Sequence, residues 1–74
     1  MIYYELLEGL AYQALQSRSN ISFSTPDFGV TAITDDPTEF HWTVRYKGSI
    51  HRFTSQLADD EFEYVVDKLC SILH

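Results

Sequence analysis

At 74 residues with a formal net charge of -6, 45% hydrophobic and 15% aromatic residues, the chain is long enough for one core and too short for two. The aromatic and hydrophobic content argues for a folded globule and against disorder. A chain of this size buries only about 60 to 65% of its unfolded surface, so its stability is expected at about 3 to 7 kcal/mol, part of which an oligomer or partner would supply. The single cysteine, Cys70, cannot form an internal disulfide. No apolar run approaches a membrane span, and MIYYELLEGL carries acidic residues where a secretory signal carries basic ones, so the expectation is a cytoplasmic protein with no membrane partner.

In chain order, residues 2 to 17 read as a helix. Tyr3, Leu6, Leu7, Leu10 and Ala14 follow the three-and-four spacing of a buried stripe, with Glu5, Glu8, Gln13 and Gln16 largely outside it. Tyr4, Ala11, Tyr12 and Leu15 widen the apolar arc beyond what one buried stripe requires, which marks them as the candidate partner-binding surface. Gly9 costs about 1 kcal/mol in mid-helix relative to alanine, and the expected compensation is close approach of a neighbouring backbone. The helix stops around Ser17 to Asn20, whose short polar side chains compete for backbone hydrogen bonds.

From Ile21 the period changes to two. Ile21 and Phe23 alternate with Ser22 and Ser24 in a short strand that ends at Pro26, and Thr25-Pro26-Asp27 forms a turn. A second strand runs from Phe28 to Thr34, and Asp35-Asp36-Pro37-Thr38 reverses the chain. A four-residue loop there sets Ile33 opposite Phe40 and leaves Phe28, Val30 and Ala32 on the wet face. A loop one residue different inverts this, and the register that buries Phe28 and Val30 is favoured.

The clearest strand is Glu39 to Lys47. Phe40, Trp42, Val44 and Tyr46 alternate with Glu39, His41, Thr43, Arg45 and Lys47, the pattern of a strand with one dry and one wet face. With Lys47-Gly48 as a two-residue loop, Ser49 to Thr54 returns so that Trp42 meets Phe53 and Val44 meets His51 on the dry side, while Thr43 meets Arg52 and Arg45 meets Ile50 on the wet side. A last amphipathic helix spans about Asp59 to Leu73 and presents Phe62, Val65, Val66, Leu69, Ile72 and Leu73 to the core. Asp59, Asp60 and Glu61 crowd its start, where an aspartate can cap and negative charge suits the helix dipole. The fold class is therefore α+β: a single two-layer domain of helix, three- or four-stranded antiparallel sheet and helix, with both helices on one sheet face.

The residues that could carry chemistry do not assemble into a reaction. His41 and His51 fall on opposite faces of the predicted hairpin, His74 ends the chain and Cys70 lies on or beside the apolar face of the last helix, so no metal or other cofactor is expected. His51 beside Val44 reads as a core-edge histidine. The carboxylate pairs at Asp35-Asp36 and in Asp59-Asp60-Glu61 occupy a turn and a helix start, where local structure accounts for them. No nucleophile elbow and no glycine-rich phosphate loop occurs, so no catalytic residues are assigned.

Charge is the remaining signal. Arg45, Lys47 and Arg52, with His41 beside them, put a basic patch on one sheet face; cations on a strand pair also serve ordinary edge protection. In element order, and in the stretch FHWTVRYKG, the chain is loosely similar to the double-stranded RNA binding domain. That resemblance implies a phosphate-gripping lysine cluster at the start of the last helix. Ala58-Asp59-Asp60-Glu61 stands there and repels phosphate, so nucleic acid is not the expected partner. Two functional expectations remain. The first is a protein–protein interaction module, an adaptor, regulatory subunit or homodimeric domain. The second is an acidic inhibitor that mimics nucleic acid, as phages and mobile elements make against defence nucleases, using Asp59, Asp60, Glu61, Glu63 and Asp67.

Overall fold

The structure, a computed structural model, describes residues 4–36 and 38–73, with the side chains of residues 35 and 36 outside the described set. Its elements are α1 (Tyr4–Ser17), β1 (Ile21–Ser24), β2 (Phe28–Asp36), β3 (Glu39–Tyr46), β4 (Ser49–Gln56), a 3-10 turn (Asp59–Glu61) and α2 (Phe62–Ile72). The four strands form one antiparallel meander in the order β1-β2-β3-β4. Both helices cover the same side, α1 against β1 and α2 against β3 and β4, and they pack on each other. Among the described residues no helix is long and apolar enough to cross a membrane.

Local chemistry accounts for the hairpins. Lys47 and Gly48 both have positive φ, 52° and 77°, the mirror-image turn whose twist matches that of the flanking strands. The turn aligns Trp42 with Phe53, Val44 with His51, Thr43 with Arg52 and Arg45 with Ile50, the pairing expected from sequence. Lys47 consequently belongs to the turn instead of the strand, with its ammonium 5.3 Å from the Tyr46 ring centre. Between β1 and β2, Thr25 Oγ1 accepts from the N–H groups of Asp27 and Phe28, both at 3.1 Å. At the far end of the same pair, Asn20 Oδ1 accepts from Thr34 N–H at 2.8 Å. α1 ends with Arg18 in the left-handed region, φ 52°, its N–H bonded to the Ala14 carbonyl.

The β2 register rests on a bulge. Asp36 pairs with Glu39 beside the turn, whereas Ile33 pairs with His41, so the two residues Thr34 and Asp35 oppose Phe40 alone. Without that extra residue Ile33 would lie opposite Trp42 on the dry face. With it, Phe28, Val30 and Ala32 are fully buried and Ile33 is exposed, the favoured of the two registers. Pro37 lies outside the described residues, as do Tyr3 and His74.

The core joins one sheet face to two helix faces. Phe28, Val30, Ala32, Phe40, Trp42 and Val44 meet Leu7, Leu10, Ala11, Ala14 and Leu15 from α1 and Val65, Val66 and Leu69 from α2. Trp42 stacks on Phe53 with centroids 5.8 Å apart and rings 1° from parallel, and Phe53 meets Tyr64 edge-on at 6.3 Å. The indole Nε1–H donates to Ser55 Oγ at 2.9 Å, so the polar atoms of both buried side chains are satisfied.

Three local expectations are corrected. The buried arc of α1 is Leu7, Leu10, Ala11, Ala14 and Leu15, a perfect three-and-four series rotated from the stripe through Leu6. Gly9 is exposed, and a Cβ there would meet nothing within 4 Å, so no backbone approach explains it. Gly9→Ala is therefore expected to stabilise the protein by about 0.5 to 1 kcal/mol, read as a rise in urea midpoint at constant slope. Finally, no aspartate caps the last helix. Neither end position makes a side-chain cap bond, and Glu61 Oε1 instead accepts the Gln56 N–H at 2.9 Å. In a two-residue hairpin that amide points away from β3, so Glu61 blocks one end of the free β4 edge.

Candidate functional site

The two helices run antiparallel. Tyr12, Leu15 and Gln16 of α1 lie beside Asp59 and Phe62, while Tyr4 lies beside Phe62, Glu63, Val66 and Asp67. A groove follows this seam. Its larger section, about 270 Å³, is lined by Tyr12, Leu15, Gln16, Asp59 and Phe62. Its smaller section, about 160 Å³, is lined by Tyr4, Phe62, Glu63, Val66 and Asp67, and Phe62 is common to both.

Helical spacing gives the rims their character. Tyr4, Glu8 and Tyr12 stand four residues apart along α1, and Asp59, Glu63 and Asp67 stand four apart across the 3-10 turn and α2. Each row extends about 12 Å at 1.5 Å per residue. Leu15 and Val66 form a buried floor and Phe62 is half-buried, whereas Tyr4 and Tyr12 are 48% and 58% exposed. Among the described residues, no lysine or arginine lines either section.

The four residues expected to form a partner surface thus separate. Ala11 and Leu15 face the core, at 0% and 2% exposure, because α1 lies in the notch between sheet and α2 and buries on two sides. Tyr4 and Tyr12 remain outside as a groove rim. Of the acidic set, Asp59, Glu63 and Asp67 face the same groove, Asp60 is exposed, and Glu61 is turned to β4. The groove itself was not legible in sequence: each row is visible as an i, i+4 series, but nothing local says that the two rows lie side by side.

The rim carboxylates act on their neighbours. The charge of Glu8 raises the Tyr4 phenol above its ordinary pKa, with smaller contributions from burial and from Cys70 and Asp67. Burial, then Asp67 and Glu8, push the Cys70 thiol up as well. A folded-state thiol that holds its proton longer than the unfolded one contributes stability below the unfolded pKa, about 8.5, and loses it as pH rises through the higher folded value. The urea midpoint is therefore expected to fall above about pH 8.5, with a shallower fall in Cys70→Ala. Equal slopes in the two proteins would contradict this assignment.

Among the described residues, none forms a layer over the opposite side of the sheet. It presents the row Ser22, Thr31, Thr43, Arg52 and the row Ser24, Gly29, Arg45, Ile50, with Ile33, His41 and Thr54 beyond. Ile33 and Ile50 are exposed. The Arg45 guanidinium lies flat across Gly29, where a Cβ would meet its Nη2 at 3.2 Å. His41, Arg45 and Arg52 share this face as expected, while Lys47 stands at the turn beside it. His51 is on the helix side and exposed beside the last turns of α2, near Lys68, Ser71 and Ile72, so it is not enclosed at the core edge. Among the described residues, no three His, Cys, Asp or Glu side chains gather as a metal would require.

Comparison of the chain with protein-family models, with characterised proteins and with solved structures finds no match.

Proposed function

We propose that this protein is a non-catalytic protein–protein interaction module of the cytoplasm, an adaptor, regulatory subunit or homodimeric domain, that docks through the seam between its helices. The observation that carries this reading is the pair Tyr4 and Tyr12, held exposed on one face of α1 beside a groove with an apolar floor. Tyrosine offers a large apolar body with a polar tip and loses little rotamer freedom on ordering, which is why it concentrates at binding surfaces. Neither ring is needed by the core, which is closed beneath them by Leu7, Ala11 and Leu15.

The test is a pull-down from the native source coupled to a molar-mass determination, run on the natural chain and on a Tyr4→Ala, Tyr12→Ala double variant. The expected outcome is a defined complex, heteromeric or dimeric, that the double variant loses while its circular dichroism and melting curve stay close to the natural ones. Retention of the complex would remove the groove from the function, and turnover of a small molecule by the purified chain would overturn the whole reading.

A second reading is supported by the row Asp59, Glu63 and Asp67. Carboxylates at this spacing, about 5 to 6 Å between successive Cβ atoms, present a regular line of negative charge, as an inhibitor mimicking nucleic acid would. In that case reversal of the row abolishes binding, tyrosine truncation leaves it intact, and salt to about 0.5 M weakens it strongly because surface charges are then screened.

A further inference from the structure

We infer that the groove takes a basic amphipathic segment of another protein, whose apolar side chains enter over Phe62 and whose lysines or arginines lie between the tyrosine and carboxylate rims. The inference rests on the proposed docking role of this seam and specifies its occupant. The two sections meet at Phe62 between rows about 12 Å long; the wider, floored by Leu15, is mainly apolar and can bury aliphatic side chains, whereas the smaller is mainly polar. Two turns of helix or a short extended stretch have that reach.

One rim is set by Tyr4 and Tyr12, with Glu8 between them in sequence but outside the lining of both sections; the other is carboxylate throughout, Asp59, Glu63 and Asp67. A cation placed between them meets an aromatic ring face on one side and a carboxylate on the other, and both interactions strengthen as the groove loses water. An acidic segment would instead set like charge against Asp59, Glu63 and Asp67, and a wholly apolar one would leave them desolvated without a partner. The cations of the sheet face, Arg45 and Arg52, lie on the other side of the sheet and cannot fold over to fill the groove.

The experiment places a photo-crosslinking amino acid at position 12 of the full chain, and separately at position 50 on the open sheet face, in native cells. Crosslinked segments are identified by mass spectrometry and compared in net charge. The expected result is a position-12 crosslink to a segment of another protein carrying two or more lysines or arginines with interspersed aliphatic residues. A Glu63→Lys, Asp67→Lys variant is expected to lower its yield about tenfold at unchanged thermal stability. A position-12 crosslink to a neutral or acidic segment overturns the basic occupant and leaves the docking reading standing. A crosslink to the chain's own Arg45 to Arg52 peptide makes the occupant a second copy and also overturns it. Crosslinks from position 50 with none from position 12 overturn both.

Discussion

Replacing Trp42 by alanine is expected to leave the protein largely unfolded at 37 °C. Trp42 is the largest fully buried side chain and has no exposed surface. It stacks on Phe53, contacts Phe40 at 5.8 Å between ring centres, and satisfies the hydroxyl of Ser55, itself only 4% exposed. Truncating a buried aromatic of this size costs about 3 to 5 kcal/mol through lost transfer energy and the cavity left behind. The stranded Ser55 hydroxyl adds about 1 to 3 kcal/mol unless water reaches it. Against a total of about 3 to 7 kcal/mol, little remains. The measurement is a far-UV circular dichroism melt, since the chain's one tryptophan is lost in the variant. Trp42→Phe keeps the ring over Phe53 and removes the N–H, so it should fall between the two. A cooperative transition in Trp42→Ala within a few degrees of the natural one would show that the core is not centred on this residue.

A paired substitution on β2 is expected to give opposite outcomes at adjacent positions. Ala32→Glu sets a carboxylate into the fully buried layer opposite Trp42. An unpaired charge there costs several kcal/mol, about the whole stability of the domain, even if the group neutralises instead of ionising. Ile33→Glu places the same group on the open face opposite His41, where Ile33 is 46% exposed, and should change stability by no more than about 0.5 kcal/mol. Urea titration of both variants tests the bulge at Thr34 and Asp35 directly. If Ile33→Glu unfolds and Ala32→Glu does not, the register is inverted.

The same residues show where sequence reasoning succeeds and where it stops. The β3–β4 hairpin was legible because everything that specifies it is local: an alternating strand, Gly48 for a positive φ, and a return strand whose Phe53 falls opposite Trp42. The core face of α2 was legible for the same reason, since Val65, Val66 and Leu69 form a single stripe with acid and polar residues opposite. α1 was not, because its apolar residues run around much of the cylinder and periodicity alone cannot choose a phase. The same wide arc points Tyr4, Ala11, Tyr12 and Leu15 all outward, yet Ala11 and Leu15 belong to the core and only Tyr4 and Tyr12 stand exposed.

By itself, then, the sequence determined the class of the fold, the element order, the dry face of the central hairpin and the concentration of cations on the opposite face. Each follows from spacing within one element or across one tight turn. Tertiary structure decided the rotation of α1, the bulge that sends Ile33 out and Ala32 in, and the use of Glu61 on the β4 edge instead of a helix cap. It also decided that Tyr4 and Tyr12 stand across a groove from Asp59, Glu63 and Asp67. Those outcomes depend on which surfaces meet when both helices compete for one sheet face, a sum over contacts between residues far apart in the chain that no local pattern records.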